Sequence, residues 1–283
     1  MFIIPEGATR IAALRTGQID MSLERLTPEE SDNLANNGLQ VPSGPLTLGR
    51  TVDFNTQVGP WQDARVRRAA SLAIDRAAIR EALLGGQGSG GYYMPPWGPW
   101  ASQPVSYDPD RAKELLAEAG FPGGFTTTMT APQFAELLNV AEIVASMWQD
   151  IGIKTELEVM GFSAYAARIR AGEYSTTIGG ILSAVDDPDV ILRRLYASDG
   201  ASNLTGFSSI DFDNILAAQA TTADLDERHS KVASLQSILA DLSPSTVVYW
   251  DDLRLGIRPD VKDYFLPQSL RSRINFANVW LDR

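Results

Sequence analysis

The chain has no cysteine and a single histidine among its 283 residues. Without cysteine there are no disulfides, no thiolate metal sites and no thiol catalysis. The one histidine, His229, stands beside Arg228 in a charged segment. It gives no support for a Ser-His-Asp triad or a histidine-rich zinc site, and a solvated helix position is the simpler interpretation. We therefore expect neither a metal nor another cofactor.

Positive charge and long apolar runs are also scarce. Lysine and arginine number 24 against 35 acidic residues, so the net charge is −11. This balance argues against nucleic acid and against an anionic membrane surface as partners. No apolar run approaches the ~20 residues of a membrane span. The first five residues lack the basic and apolar regions of a signal peptide, so this chain is predicted to carry none.

The most informative stretch runs from Gly59 to Arg76, GPWQDARVRRAASLAIDR. Alternating apolar residues from Leu46 to Phe54 predict a strand that leads into it. Asp63 and Asp75 are predicted to cap two successive helices. The first helix has a narrow apolar stripe, made by Val66, Ala69, Ala70, Ala73 and Ile74.

Three arginines crowd the first turn of that helix, where the helix dipole disfavours cations. Helix formation alone does not explain Arg65, Arg67 and Arg68. We expect them to have anionic partners elsewhere in the fold, with Asp20 or Asp53 as the candidates.

This stretch resembles the core signature of the bacterial extracellular solute-binding proteins of family 5, the peptide/nickel class of ABC-transporter binding proteins. The matching elements are Phe54-Asn55, Pro60, Asp63-Ala64-Arg65-Val66-Arg67 and Ala73-Ile74-Asp75-Arg76. Further strings similar to the family lie at Thr9 to Asp20, Tyr107 to Gly120 and Phe276 to Leu281. The resemblance covers nearly the whole chain but only the later part of a typical member.

The remaining pattern alternates strands and helices. A βαβ unit is predicted from a strand starting at Phe125, a helix over about 133–150 and a strand over 153–159, with the strands parallel. Further helices are predicted at 162–171, 188–197, 211–220 and 224–241, and strands at 176–182 and 246–250.

The resemblance implies an α/β fold of the periplasmic binding protein type (type II, cluster C-like). One complete α/β lobe with a mixed sheet is expected, together with pieces of a second lobe. On this reading residues 1–49 are a partial segment of the first lobe and the hinge. Residues 50–249 form the complete solute-binding lobe, and residues 250–283 return as strands to the first lobe.

Four aromatic residues stand in a loop rich in glycine and proline: Tyr92, Tyr93, Trp97 and Trp100. They are suited either to lining a ligand cleft or to fixing the loop to the core, and the sequence does not choose between these roles. Just before them, Gly86-x-Gly88-x-x-Gly91 matches a dinucleotide fingerprint. The predicted order, with a helix before the glycines and no helix after them, makes that match accidental.

The segment Asp186-Asp187-Pro188-Asp189 offers three carboxylates for Ca²⁺ or for acid–base chemistry. A helix start at Pro188 explains them better. The resemblance implies that the strand before this proline lines a cleft, which makes Leu182, Ser183, Ala184 and Asp186 candidate ligand contacts.

Peptide-binding members of the family hold the ligand amine with an aspartate four residues before the proline. That position is Ala184 here, so we expect this protein not to recognise a free peptide amine in the usual way. Phe162 also matches a cleft segment of the family. Packing against the 133–150 helix is its alternative role.

The function implied by the resemblance is that of a periplasmic or extracellular solute-binding protein, not an enzyme. Such a protein binds a small polar solute, peptide-like, oligosaccharide or related, between two lobes and delivers it to a membrane ABC permease. An N-terminal portion with a signal or lipid anchor is expected upstream. The alternatives are a truncated fragment that binds nothing and, from a different class, a hydrolase using Asp186 and Asp187.

Overall fold

The computed structural model describes residues 3–4, 6–183, 187–266 and 275–283. The helices in chain order are α1 (Gly7–Thr16), α2 (Pro28–Asn36), α3 (Ala64–Leu72), α4 (Arg76–Leu84), α5 (Pro109–Glu118), α6 (Ala135–Gln149), α7 (Phe162–Arg170), α8 (Arg194–Tyr196), α9 (Ile210–Thr221) and α10 (Leu225–Leu242). The strands are β1 (Met21–Ser22), β2 (Ser43–Phe54), β3 (Ser89–Gly90), β4 (Phe125–Pro132), β5 (Ile153–Met160), β6 (Thr176–Leu182), β7 (Ser245–Arg254), β8 (Gly256–Ile257), β9 (Val261–Lys262) and β10 (Trp280–Leu281). No helix in the described part of the chain is long and apolar enough to span a bilayer.

The chain divides into two compact units. Unit 1 comprises Met1–Leu48 and Asp251–Arg283, and unit 2 comprises Gly49–Trp250. The divisions fall inside β2 and inside β7. The boundaries predicted from the sequence, 49/50 and 249/250, each differ from these divisions by one residue.

Unit 1 is built around short strands and two helices. β1 pairs antiparallel with β8, and β9 pairs antiparallel with β10. A capping box opens α2, because the Thr27 hydroxyl accepts from Glu30 N at 3.1 Å and Thr27 N donates to Glu30 Oε2 at 2.8 Å. The buried side chains of the unit form two apolar clusters: Leu46, Leu48, Leu253, Leu255, Ile257 and Val261 in one, and Leu14, Leu26 and Leu34 in the other.

Unit 2 contains a six-stranded mixed sheet in the order β3-β7-β2-β6-β4-β5. β4 pairs in parallel with β5 from Phe125↔Ile153 to Pro132↔Met160, which confirms the predicted parallel βαβ unit. β4 also pairs in parallel with β6. Phe54, the last residue of β2, donates to Pro244 O, and Asn55 donates to Ser175 O. β2 therefore ends where β6 and β7 begin and runs antiparallel to both.

Two large apolar clusters stabilise unit 2. In the first, Trp61 stacks on Phe54 with ring centroids 4.9 Å apart and contacts Trp148 at 5.5 Å. Both tryptophans are buried and hydrogen bonded, Trp61 Nε1 to Thr127 Oγ1 and Trp148 Nε1 to Ala70 O, each at 2.9 Å. The second cluster includes Tyr93, Tyr196, Phe212 and Trp250.

The caps predicted at the start of α3 and α4 are confirmed. Asp63 accepts from Arg65 N at 2.8 Å, and Asp75 accepts from Ala77 N at 3.0 Å and Ala78 N at 2.9 Å. The predicted apolar stripe of α3 and the turn after it is buried throughout.

An anionic partner elsewhere in the fold is confirmed for Arg68 alone, and Asp20 and Asp53 were wrong as the candidate partners. Arg65 pairs with Asp63, and Arg68 pairs with Asp241 at 3.0 Å. Arg67 binds four backbone carbonyls instead of a carboxylate. Asp20 pairs with Arg283. The first-turn cations are thus satisfied in three ways: Arg65 by the acid at the helix cap, Arg67 by backbone carbonyls, and Arg68 by an aspartate of α10.

The helix predicted at 188–197 also differs. Asp189–Arg193 forms a π-helical turn, and only Arg194–Tyr196 continues as α8. The long helices predicted at 211–220 and 224–241 are confirmed as α9 and α10. Part of the predicted strand-like tail, from 267 to 274, lies outside the described residues.

Candidate functional site

The parallel strands of unit 2 end together at one edge of the sheet. β4 lies between β5 and β6. The chain therefore passes from β4 to β5 on one side through α6, and then from β5 to β6 on the other side of β4 through α7. Right-handed crossovers in opposite directions place these two helices on opposite faces of the sheet. In open α/β sheets such a reversal leaves a crevice at the carboxyl ends of the strands, where ligands bind. We call this edge, formed by residues 132–134, 160–162 and 182–183, the carboxyl edge.

Two exposed phenylalanines meet at the carboxyl edge. Phe134 precedes α6 and is 51% exposed, and Phe162 begins α7 and is 55% exposed. Their ring centroids are 5.4 Å apart, and Tyr165 lies 6.2 Å from Phe162 in a stacked arrangement. We call these three rings the aromatic platform. Because each phenylalanine lies two residues after the end of a parallel strand, the fold brings two residues distant in sequence into contact.

An ion pair of unit 2 connects β2 to the start of α6. Arg50 Nε and Nη2 donate to Glu136 Oε1 at 2.8 and 2.7 Å. The neighbouring strand carries Gly180, which is exposed, and a Cβ built there would lie 3.4 Å from Arg50 Nη1. A Cβ there would also lie 3.1 Å from Gly49 O, so a glycine at this place lets the backbone of β2 lie close to β6 beside the guanidinium.

The opposite face of β6 carries Gly179, which lies beside Thr51 and Asp53 of β2. Removal of the Asp53 carboxyl from bulk water raises its pKa to about 6, and a hydrogen bond with Thr51 opposes this shift. On the same face the Tyr165 hydroxyl donates to Ile178 O at 2.7 Å, and Thr177 Oγ1 lies 3.0 Å from that hydroxyl. Burial raises the pKa of Tyr165 to about 12, with the Asp53 charge as a further contribution.

Comparison with known proteins identifies the family of this chain. The family described as bacterial extracellular solute-binding proteins, family 5 Middle, matches residues 1–203. The chain belongs to this family. Heme-binding protein A of Haemophilus influenzae is 30% identical over 281 residues, which cover 93% of this chain and 50% of that protein. The dipeptide-binding protein of Escherichia coli is 25% identical and matches over 99% of this chain and 54% of its own length.

Solved structures agree with the family 5 assignment. The periplasmic binding protein DppA of Helicobacter pylori, in complex with the peptide STSA, superposes with a TM-score of 0.87 at 26% identity, over 99% of this chain and 56% of that one. The binding protein CtaP of Listeria monocytogenes gives a TM-score of 0.89 at 20% identity, which shows the shared fold. The fold is therefore of the periplasmic binding protein type, as predicted. The chain spans about half the length of the relatives that it matches.

Three of the site residues predicted from the sequence lie at the carboxyl edge of this family 5 fold. Phe162 belongs to the aromatic platform, Leu182 is 39% exposed, and Ser183 is buried beside it. The Leu182 carbonyl accepts from Arg194 Nη2 at 2.8 Å. Ala184 and Asp186 lie outside the described residues.

The loop aromatics lie elsewhere in unit 2. Tyr93 is buried, and its hydroxyl is within 2.9 Å of Leu239 O and Ser245 O. Trp97 packs edge-on against Trp250 with centroids 5.8 Å apart. Trp100 lies under the Arg228 guanidinium, with His229 against its edge. These contacts favour the packing role over the cleft role for Tyr93, Trp97 and Trp100.

Tyr92 lines a separate cavity of about 380 Å³ together with Arg76, Arg80 and Tyr107. None of the residues of the aromatic platform borders this cavity. Tyr92 is therefore separate from the predicted contacts at the carboxyl edge.

The acidic turn has structural partners where it is described. Asp187 pairs with Arg228 at 3.1 Å and accepts from Asp189 N at 2.9 Å. Asp189 pairs with Arg193 at 2.8 Å. These bonds favour the predicted capping role over a pair of catalytic carboxylates. Within the described ranges, no group of three or more acidic or histidine side chains is placed to hold a metal ion.

Sequence reasoning missed Phe134 and did not assign Asp53 to the site. The signal for Phe134 was available, because it follows a predicted strand end as Phe162 does. Asp53 was considered only as a partner for the arginines. Its placement beside Gly179 and Tyr165 depends on the pairing of β2 with β6, which the sequence does not specify.

Proposed function

We propose that this chain forms the solute-binding part of an ABC importer and acts without chemical catalysis. It binds a small polar solute, peptide-like, oligosaccharide or related, outside the cytoplasmic membrane and releases it to a membrane permease. Family membership supports the class. The names of relatives that bind dipeptides or glutathione support a peptide-like solute.

The observation that carries this proposal is the aromatic platform at the carboxyl edge. Exposed phenylalanines in contact leave apolar surface in water. A ligand that covers the rings removes this surface from water, and the free energy of that burial favours binding. The carbonyls and charged pairs around the platform supply the polar contacts that orient a small solute. We assign the binding surface of unit 2 to Phe134, Phe162, Leu182 and Ser183, with Ala184 and Asp186 next along the chain.

Calorimetric titration of the chain with Met-Leu, the peptide STSA and glutathione tests the proposal. At least one probe is expected to bind, and Phe162→Ala is expected to weaken that binding about tenfold through loss of ring contact. Phe265→Ala is the matched control, because Phe265 belongs to unit 1 and is 80% exposed. The Phe265→Ala variant should bind the same probe with the affinity of the wild type.

Two results would contradict the proposal. No heat with any of the three probes would support a fragment that binds nothing on its own. An equal loss of affinity in Phe162→Ala and Phe265→Ala would show that the carboxyl edge is not the binding surface.

A further inference from the structure

Two successive glycines in the middle of β6, Gly179 and Gly180, leave both faces of the strand without a side chain there. A Cβ built on Gly179 would overlap the Asp53 carboxylate and would lie 2.7 Å from Thr51 Oγ1. Only a residue without a side chain lets the carboxylate occupy this place. Gly179 and Asp53 are both partly exposed, and Gly180 is exposed, so solvent reaches this part of the strand. We call the opening formed by Thr51, Asp53, Tyr165 and Gly179 the Asp53 groove.

The Asp53 carboxylate has no cationic partner among the described residues. Its one described hydrogen bond comes from Thr51. The titratable groups that sense its charge are Tyr165, Tyr174 and Tyr196; tyrosines are neutral at pH 7, and burial raises the pKa of all three further. A carboxylate in such surroundings lacks the positive charge that normally compensates its removal from water.

The tyrosine hydroxyls around Asp53 already have acceptors or partners of their own. Tyr165 donates to Ile178 O, and Tyr174 donates to Leu204 O at 2.6 Å. The Tyr196 hydroxyl lies 2.8 Å from Ser245 Oγ. The protons of Tyr165 and Tyr174 are therefore not available to the carboxylate. Besides Thr51, no donor to Asp53 is found among the described residues, and a charged donor satisfies a carboxylate best.

The Asp53 groove is continuous with the aromatic platform through Tyr165. The hydroxyl end of Tyr165 lies over β6 next to Gly179, and its ring stacks with Phe162. A cation held at Asp53 lies beside the Tyr165 ring, whose face also attracts positive charge. Apolar atoms attached to that cation extend toward Phe162.

We propose that the Asp53 groove is a subsite for a positively charged group of the solute, an ammonium or a guanidinium, with Asp53 as its counter-ion. The inference rests on the proposed function and names its substrate class, a solute with a cation next to an apolar group. Because the binding form of Asp53 is the carboxylate, affinity for such a solute rises as the pH increases through about 6 and stays high until the solute itself loses its proton.

Benzylammonium is a probe that tests the subsite without assuming a peptide ligand. The Asp53 carboxyl is followed by ¹³C NMR across a pH titration of the whole chain, with and without benzylammonium, and with benzyl alcohol as the neutral control. Benzylammonium is expected to lower the pKa of Asp53 by about one unit, and benzyl alcohol is expected to leave it unchanged. An unchanged pKa in both titrations would overturn the proposal even if the chain binds peptides.

Peptide titrations extend the test to larger solutes. For whichever of Met-Leu and N-acetyl-Met-Leu binds, the effect of Asp53→Asn on affinity is measured. The substitution is expected to weaken binding of Met-Leu, which has a free ammonium group, about tenfold and to leave binding of the acetylated peptide unchanged. Asp226→Asn removes the same charge from the exposed first turn of α10 and serves as the control. Equal effects of Asp53→Asn on both peptides would contradict the subsite, and failure of both to bind would count against the proposed function alone.

Discussion

Arg67 of α3 donates from Nε to the carbonyl of Leu242, the last residue of α10, at 2.9 Å. The same guanidinium also donates to Trp61 O at 2.6 Å and Gln62 O at 3.0 Å. The buried cation thus satisfies carbonyls at the end of one helix and in the turn before another. Burial lowers the pKa of Arg67 to about 10, so it remains charged at neutral pH.

We predict that Arg67→Met lowers the free energy of unfolding by about 3 kcal/mol, because four acceptor contacts lose their donor inside the protein. Urea denaturation measures the change. Arg68→Met is the control. Arg68 pairs with Asp241 at the surface, and its loss is expected to cost under about 1 kcal/mol. An equal loss of unfolding free energy in the two variants would show that the carbonyl contacts of Arg67 stabilise the fold no more than a surface ion pair does.

A second prediction concerns the bond between Trp61 and Thr127. Thr127→Val keeps the side-chain shape but leaves the buried Trp61 N–H without its acceptor, so we expect a loss of about 1–2 kcal/mol of unfolding free energy. Thr126→Val on the same strand faces solvent and is expected to be nearly neutral. Thermal and urea melts of both variants decide the matter. A Thr127→Val protein as stable as the wild type would contradict the prediction that this hydrogen bond stabilises the fold.

The local elements of this fold were predictable because each has a strong periodic signal. Asp63 and Asp75 each stand one residue before a helix with an apolar stripe, and the alternation around Phe125 and Ile153 predicts strands joined by a helix of crossover length. The parallel pairing followed from that length and from chain handedness. These are properties of neighbouring residues, which sequence patterns report well.

The candidate site was predictable only in part. Phe162 and Leu182 were found by resemblance, whereas Phe134 next to them was not. Whether a phenylalanine at the start of a helix faces the core or the solvent depends on which strands lie adjacent, here the order β6-β4-β5. The Asp53 surroundings depend on the pairing of β2 with β6, and local patterns do not report that pairing.

A third prediction follows from the close approach of Gly124 to Gly152. Gly124 has φ +74°, and a Cβ there would overlap the backbone of Gly152, where β4 and β5 begin. Gly124→Ala is therefore expected to cost at least about 2 kcal/mol. Gly120→Ala separates the two causes, because Gly120 has φ +91° but nothing within 4 Å of its Cβ position, and we expect a cost of about 1 kcal/mol there. Urea melts in which the two variants lose equal stability would contradict a steric role for Gly152.

The last prediction uses the titration of Asp53 in the free protein. Its pKa of about 6 in the folded state lies above the ordinary value of 3.8, so the folded state holds its proton more tightly than the unfolded state does. Well below pH 4 both states are protonated and Asp53 costs nothing. Between about pH 4 and pH 6 the unfolded state ionises while the folded state still holds its proton, so unfolding becomes easier by up to about 2–3 kcal/mol, and this difference stays constant above pH 6.

Asp53→Asn removes this titration and keeps the shape of the side chain. The variant is therefore expected to match the wild type near pH 3, and to exceed its free energy of unfolding by about 1 kcal/mol at pH 4.5 and by about 3 kcal/mol at pH 7.5, as measured by urea denaturation at several pH values. All other carboxyl groups titrate in both proteins, so their contributions cancel in the difference. A difference that stays constant with pH would show that Asp53 is well solvated, and it would also remove the reason why a bound cation stabilises the Asp53 groove.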